Sequence, residues 1–183
     1  MEKRLKKIIM LSGKARSGKD TTSLMLFEML QAKGYKVLNL QYSSYIKEYA
    51  KKISDWDGSE ETKPRQLLQE LGTSVIRQQI DELFFVKRII GDIKVYSYYY
   101  DIIIISDVRV KVEIDVPRTE FDNICAVKIT RPNFDNGLTE EQKKHFTEVD
   151  LDDYDKFDYE IINDGTLDDL SKKVEKFIGD ICE

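Results

Sequence analysis

Two periodicities divide the chain. Apolar runs at residues 8–11, 35–40, 102–105, 124–129 and 159–162 read as five strands, and 102–105, isoleucine at every position, has the pattern of a central strand buried on both faces. Elsewhere the apolar positions fall at helical spacing. Leu24, Leu26, Phe27 and Leu30 predict a helix over 18–33 that stops at Gly34, a residue suited to the position just past a helix end. Residues 43–98 are mostly helical in pattern, with Tyr45, Ile46, Tyr49, Ala50 and Ile53 on one face, then Leu67, Leu68, Leu71, Val75 and Ile76, then Leu83, Phe84, Val86, Ile89 and Ile90. A turn at 55–59 interrupts them, and its Trp56 is read as a packing residue. A short connection from Val110 is helical in pattern but broken by Pro117, and Leu167, Leu170, Val174, Phe177 and Ile178 form a closing helix. Strands alternating with helices favour right-handed crossovers and a parallel sheet, so the expected fold is α/β, three-layered, around five mainly parallel strands.

Composition narrows this picture. A chain of 183 residues with 41% hydrophobic content can bury one good core but not two large ones, so residues 1–183 are read as one domain carrying insertions. The net charge is −5 with both signs spread along the chain, and no basic face points to polymeric nucleic acid. There is no long apolar span, and Met1-Glu2-Lys3-Arg4 leads directly into the first strand, so no membrane partner and a cytoplasmic location are expected. Cys125 and Cys182 lack metal-ligand spacing and are read as reduced thiols.

The chemistry is concentrated where the first strand meets the first helix. Gly13, four residues, Gly18 and Lys19 follow an apolar strand and open a helix, the pattern of a phosphate-binding loop. Its glycines let backbone N–H groups turn inward around an anion, the helix adds its positive end, and Lys19 supplies a point charge for the β- and γ-phosphates of a nucleotide. Gly13, Arg16, Ser17, Gly18, Lys19, Asp20 and Thr21 are therefore candidate nucleotide contacts. Asp20 stands where a hydroxyl residue usually follows the lysine; a carboxylate there can hold Mg²⁺ directly or through water, or support the helix start. Asp107, beyond the central strand, is the second candidate for Mg²⁺, and Arg109 reaches the same cleft. Arg131 opens a polar segment, 131–148, that reads as a lid and contains the only histidine, His145, a candidate for anchoring the lid or for a general base. Lys47, Arg65 and Arg77 in the helical insertion are candidate acceptor contacts, each with the alternative of a solvated or ion-paired side chain.

With these residues placed, the chain resembles the phage-type deoxynucleoside monophosphate kinases, within the nucleoside monophosphate kinase group of phosphate-loop proteins. The resemblance is carried by Ser12-Gly13-Lys14-Ala15-Arg16-Ser17-Gly18-Lys19-Asp20-Thr21, by residues 65–73 with Arg77, by Ile105-Ser106-Asp107-Val108-Arg109 and by Ile129-Thr130-Arg131-Pro132. His145-Phe146-Thr147-Glu148 and Asn163-Asp164-Gly165-Thr166-Leu167 complete it. After Arg109 the chain reads Val110-Lys111-Val112-Glu113, which keeps the outer two residues of the family's pattern and departs at the middle two. The resemblance implies a P-loop kinase fold, with residues 43–98 as the acceptor-binding insertion, 131–148 as the lid, and Asn163 and Gly165 beside the adenine of ATP. It implies phosphoryl transfer from ATP with Mg²⁺ to a nucleoside or deoxynucleoside monophosphate, with Lys19, Asp107, Arg109 and Arg131 catalytic. The alternatives are a kinase of the same fold acting on dephospho-coenzyme A, phosphomevalonate or a similar metabolite, and a nucleotide-binding module without turnover.

Overall fold

Ile8, Ile9, Met10 and Leu11 are all fully buried, which puts their strand in the middle of the sheet. A computed structural model describes residues 2–182. In chain order it contains β1 (Lys7–Ser12), α1 (Lys19–Ala32), β2 (Val37–Leu40), α2 (Ser43–Ile53), α3 (Arg65–Gln69), a π-helical segment (Glu70–Ile80), α4 (Phe84–Tyr96) and β3 (Ile102–Val108). Then follow α5 (Val112–Arg118), β4 (Ile124–Thr130), α6 (Glu140–Lys143), α7 (Phe146–Val149), β5 (Tyr159–Ile162) and α8 (Leu167–Ile181). The five strands lie in the order β2-β3-β1-β4-β5, and every pairing is parallel.

Alternate strand residues serve two cores, as the period of two requires. Ile9, Leu11, Ile104 and Val127 pack with Leu26, Leu30, Val174 and Phe177 of α1 and α8. Ile8, Met10, Ile103, Ile105 and Ala126 pack with Phe85, Ile89, Ile93 and Ile114 of α4 and α5 on the other face. The result is the expected three-layer α/β architecture. No helix among the described residues is long and apolar enough to cross a membrane.

Several boundaries differ from the sequence pattern. The turn after α1 uses Gly34 in a left-handed conformation (φ 87°), and Tyr35 N–H donates to the Leu30 carbonyl, so β2 starts only at Val37. β3 runs on through Ser106 and Asp107 because β1 still offers a partner, Ser12 opposite Val108, after a register shift. α5 starts at Val112 and keeps Pro117 in its last turn. Proline has no N–H for the carbonyl four residues earlier, Glu113, and the buried Tyr42 hydroxyl donates to that carbonyl instead at 2.9 Å. The helix is not broken, because the acceptor that proline leaves free is satisfied by the residue leading into α2.

α8 closes one core through Leu170, Val174, Phe177 and Ile178, its start held by a reciprocal Thr166–Asp169 cap. Phe177 is fully buried whereas Leu167 is 66% exposed. Phe177→Ala is therefore expected to cost about 3–5 kcal/mol of unfolding free energy. Leu167→Ala should stay within about 0.5 kcal/mol of the parent; urea denaturation of both variants checks the contrast.

Candidate active site

The loop between β1 and α1 is shaped by contacts that exclude most side chains. Gly13 has φ 151°, and a Cβ there would lie 2.3 Å from the Ile129 carbonyl oxygen of β4. Gly18 caps α1 with φ 103°, packed against Asn163, whose amide donates to the Ser17 carbonyl at 3.0 Å. Lys19 folds back over the loop and donates to the carbonyls of Gly13 and Lys14, each at 2.8 Å. Burial, with Arg109 nearby, brings its ammonium down to about 8, although Glu148, Asp20 and Asp107 pull the other way. The Ser17 hydroxyl is buried within the loop and has no hydrogen-bond partner. An unpartnered hydroxyl donor in a loop of this pattern suits a phosphate oxygen.

Carboxylates organise the surrounding cations. Asp107, near the end of β3, accepts from the Tyr42 and Ser43 N–H groups at 2.8 and 2.9 Å and so holds the start of α2. Glu148 of α7 bridges the loop and Arg109: one oxygen accepts from Ala15 N–H at 3.1 Å, the other pairs with the Arg109 guanidinium at 2.6 Å. Lys14 reaches the same segment, pairing with Asp152 and the Glu148 carbonyl. Glu113, 1% exposed, pairs with Arg77 at 2.6 Å and accepts from the backbone N–H of Arg109 at 2.7 Å and of Val110 at 3.3 Å. Burial pushes its carboxyl up to about 7, against the pull of Arg77.

Two cavities flank the loop. The larger, about 520 Å³, brings together Arg16, Gly18, Lys19, Asp20, Thr21, Lys47, Asp107, Arg109 and Arg131, and α3 and α2 wall it with Leu68 and Ile46. The smaller, about 280 Å³, lies between Gly13, Ser17, Val108 and the segment carrying Glu148, Leu151 and Phe157. Arg109 and Arg131 border both. Arg131 is exposed and its guanidinium stacks on Phe134, 3.7 Å from the ring centroid.

Other sequence-predicted residues lie off the cavities. Arg65 is 77% exposed, 3.9 Å from Glu60, and Arg77 turns inward to Glu113 with Phe85 beneath it. Asn163 braces the loop, and Gly165 packs beside the Asp169 cap. His145 accepts from Thr147 N–H at the start of α7 and lines neither cavity. Trp56 is buried, its indole N–H donating to the Ser59 carbonyl. The pattern reading gave no role to Glu113, Glu148 or Lys14, or to Lys63, which also lines the larger cavity. The only signal for the two glutamates was their place in the segments that carry the family resemblance.

A family model described as deoxynucleotide monophosphate kinase matches residues 28–174. The deoxynucleotide monophosphate kinase of Escherichia phage RB69 is 28% identical over 147 residues, which cover 79% of this chain and 54% of the relative. That of Enterobacteria phage T4 is 31% identical over 112 residues, 61% of this chain and 43% of the relative. The chain thus spans about half the length of the curated relatives it matches. Among solved structures, a Mycobacterium tuberculosis APS kinase in complex with AMPPNP and APS aligns with TM-score 0.57 at 12% identity, over 97% of this chain and 99% of that one. A Campylobacter jejuni dephospho-CoA kinase aligns with TM-score 0.56 at 14% identity, over 95% and 96%. At such identities these two structures establish the P-loop kinase fold and nothing finer.

Lys19 generates a pH prediction whose sign is fixed by its lowered value. Its ammonium is charged below about 8 and neutral above, so anion capture by the free protein should weaken as pH rises through that value. Affinity for ATP, measured by calorimetry between pH 6.5 and 9.5, is expected to fall above pH 8. In Lys19→Arg, whose guanidinium stays charged, that fall should be absent.

Proposed function

The chain belongs to the deoxynucleotide monophosphate kinase family, and from that premise we propose that it transfers the γ-phosphoryl group of ATP to the phosphate of a nucleoside or deoxynucleoside monophosphate. The observation that carries the reading is that Arg109 and Arg131 border both cavities beside the phosphate loop. Guanidinium groups at the junction of two ligand spaces can neutralise a phosphoryl group as it passes between donor and acceptor. The acceptor phosphate is itself the nucleophile, so positioning and charge neutralisation carry the reaction without a dedicated general base.

In this reading the loop residues Gly13, Arg16, Ser17, Gly18, Lys19 and Thr21 hold the triphosphate, and residues 43–98 form the acceptor arm, with Lys47 at the cavity. Residues 131–148 act as the lid; Arg16 already donates to the Asn136 carbonyl of that segment at 2.8 Å. Asp20 and Asp107 suit Mg²⁺ as hard oxygen donors facing one cavity. Among the described residues no three His, Cys, Asp or Glu side chains are grouped to hold a metal by themselves. The fit is thus to an ion shared with nucleotide phosphates, where Mg²⁺ would neutralise the triphosphate charge.

The direct test is a coupled ADP-release assay with ATP and Mg²⁺ across the common ribo- and deoxyribonucleoside monophosphates. Stimulation by one or more of them is expected. Stimulation only by dephospho-coenzyme A or phosphomevalonate would move the chain to another acceptor class, and ATP binding without stimulation by any acceptor would make it a non-catalytic module. The two arginines should separate kinetically. Arg109 follows a buried central strand and is held on both sides, so Arg109→Ala should raise the acceptor KM as well as lower kcat. Arg131 stands exposed on the proposed lid, and Arg131→Ala should act mainly on kcat, by about a hundredfold or more. A change confined to the acceptor KM in Arg131→Ala would remove it from the lid role.

A further inference from the structure

Glu113 is the most deeply buried carboxylate of the described chain, and none of the roles assigned above uses it. Its contacts join four elements around the site. One oxygen pairs with Arg77 of the π-helical segment at 2.6 Å, and the other accepts from the N–H groups of Arg109 and Val110 as the chain leaves β3. Its own carbonyl takes the hydroxyl of Tyr42, the residue that leads into α2, and the N–H groups of Tyr42 and Ser43 return to Asp107. The acceptor arm and the backbone of Arg109 therefore meet on one side chain.

Stability alone does not account for this arrangement. A buried ion pair is commonly no more stabilising than apolar side chains of the same volume. What apolar side chains cannot do is fix a peptide N–H and a guanidinium on another element in one geometry. Arg109 N–H belongs to the residue whose guanidinium borders both cavities, so holding that peptide limits where the guanidinium can be aimed.

We propose that Glu113 is a positioning residue for phosphoryl transfer: its two carboxylate oxygens fix the acceptor arm, through Arg77, and the Arg109 backbone in one relation. Arg77 then serves as the arm's anchor, and the arm's placement and the aim of Arg109 are set together. The proposal rests on the kinase reading above. Its test is chosen so that the two can fail separately.

Glu113→Gln keeps the shape but replaces one acceptor oxygen with a donor nitrogen, so it cannot satisfy Arg77 and the Arg109 peptide together. Kinetics with varied acceptor and varied ATP, melting temperature, and amide hydrogen exchange would be measured on Glu113→Gln, Arg77→Gln and the double variant. The acceptor KM is expected to rise about tenfold or more in each single variant, with the ATP KM within about twofold of the parent. Exchange at Arg109 and Val110 should quicken in Glu113→Gln while β1 amides stay protected, and the double variant should be no worse than the worse single one. A folded Glu113→Gln with a lower melting temperature but unchanged acceptor KM and unchanged exchange at Arg109 would reduce Glu113 to a stabilising pair. A raised acceptor KM in Arg77→Gln alone would make Arg77 a direct acceptor contact and overturn the anchor role. Should Glu113→Gln not fold, Arg77→Lys decides by the same kinetic comparison, since it keeps the charge but removes the guanidinium nitrogen that meets Glu113 at 2.6 Å. If the parent phosphorylates no acceptor, the kinase reading fails, while exchange at Arg109 still shows whether Glu113 holds that peptide.

Discussion

A site built to hold several phosphates must gather cations, and cations gathered around an anion site repel one another. Lys14, Arg16, Lys19, Arg109 and Arg131 all line the cavities at the loop. The chain relieves this repulsion with carboxylates drawn from distant segments. Glu148 reaches both the loop and Arg109, Asp152 takes Lys14, and Glu113 holds the peptide from which Arg109 projects. Lys19 is met instead by the backbone carbonyls of Gly13 and Lys14, and burial with Arg109 nearby weakens its charge. The positions of α2, α5 and α7 follow from this requirement, since each brings a carboxylate, or the amides that a carboxylate holds, to the rim of the loop.

The same requirement separates what the sheet does from what the insertions do. Five parallel strands place the loop, Asp107 and Arg131 at their carboxyl ends, a framework that many chemistries share. The arm between β2 and β3 and the segment after β4 supply residues that close the two cavities, and in the proposed reading the choice of acceptor belongs to them. Most charged side chains there are exposed, and exposed pairs such as Arg65 with Glu60 contribute little to stability. That leaves them free to change between relatives without loss of the fold.

The framework was legible from the sequence because burial on both strand faces leaves unbroken apolar runs, and because a glycine-rich turn between strand and helix has few other uses. β5 was recovered to the residue, and of the five apolar positions read for α8, Leu170, Val174, Phe177 and Ile178 are buried while Leu167 is exposed. The length of β3 was not, since Ser106 and Asp107 lack an apolar pattern and join the sheet through the register of β1. Pro117 reads as a helix breaker only while the Tyr42 hydroxyl that satisfies Glu113 is unseen. The direction of long side chains was the least legible part. Lys47 and Arg77 sit at similar places on helical segments of the arm, yet one lines the cavity and the other turns to a carboxylate 36 residues away. Helical spacing tells which face a residue occupies; the partner that captures a guanidinium depends on how the helices are packed.

Arg77 and Glu113 illustrate why such pairs matter more for geometry than for energy. Taking both charges out of water costs several kcal/mol per ion before their attraction is counted, and Glu113 carries that cost as a carboxyl pushed up to about 7. An apolar pair would avoid the cost but would leave two backbone N–H groups, those of Arg109 and Val110, without their acceptor at the end of β3. A single carboxylate that satisfies those amides must be near the strand exit, and once there its second oxygen needs a donor. Only an element packed over the sheet can supply one, and the π-helical segment of the arm does. The backbone's need for an acceptor at the strand exit is thus the step that draws the arm onto the phosphate site.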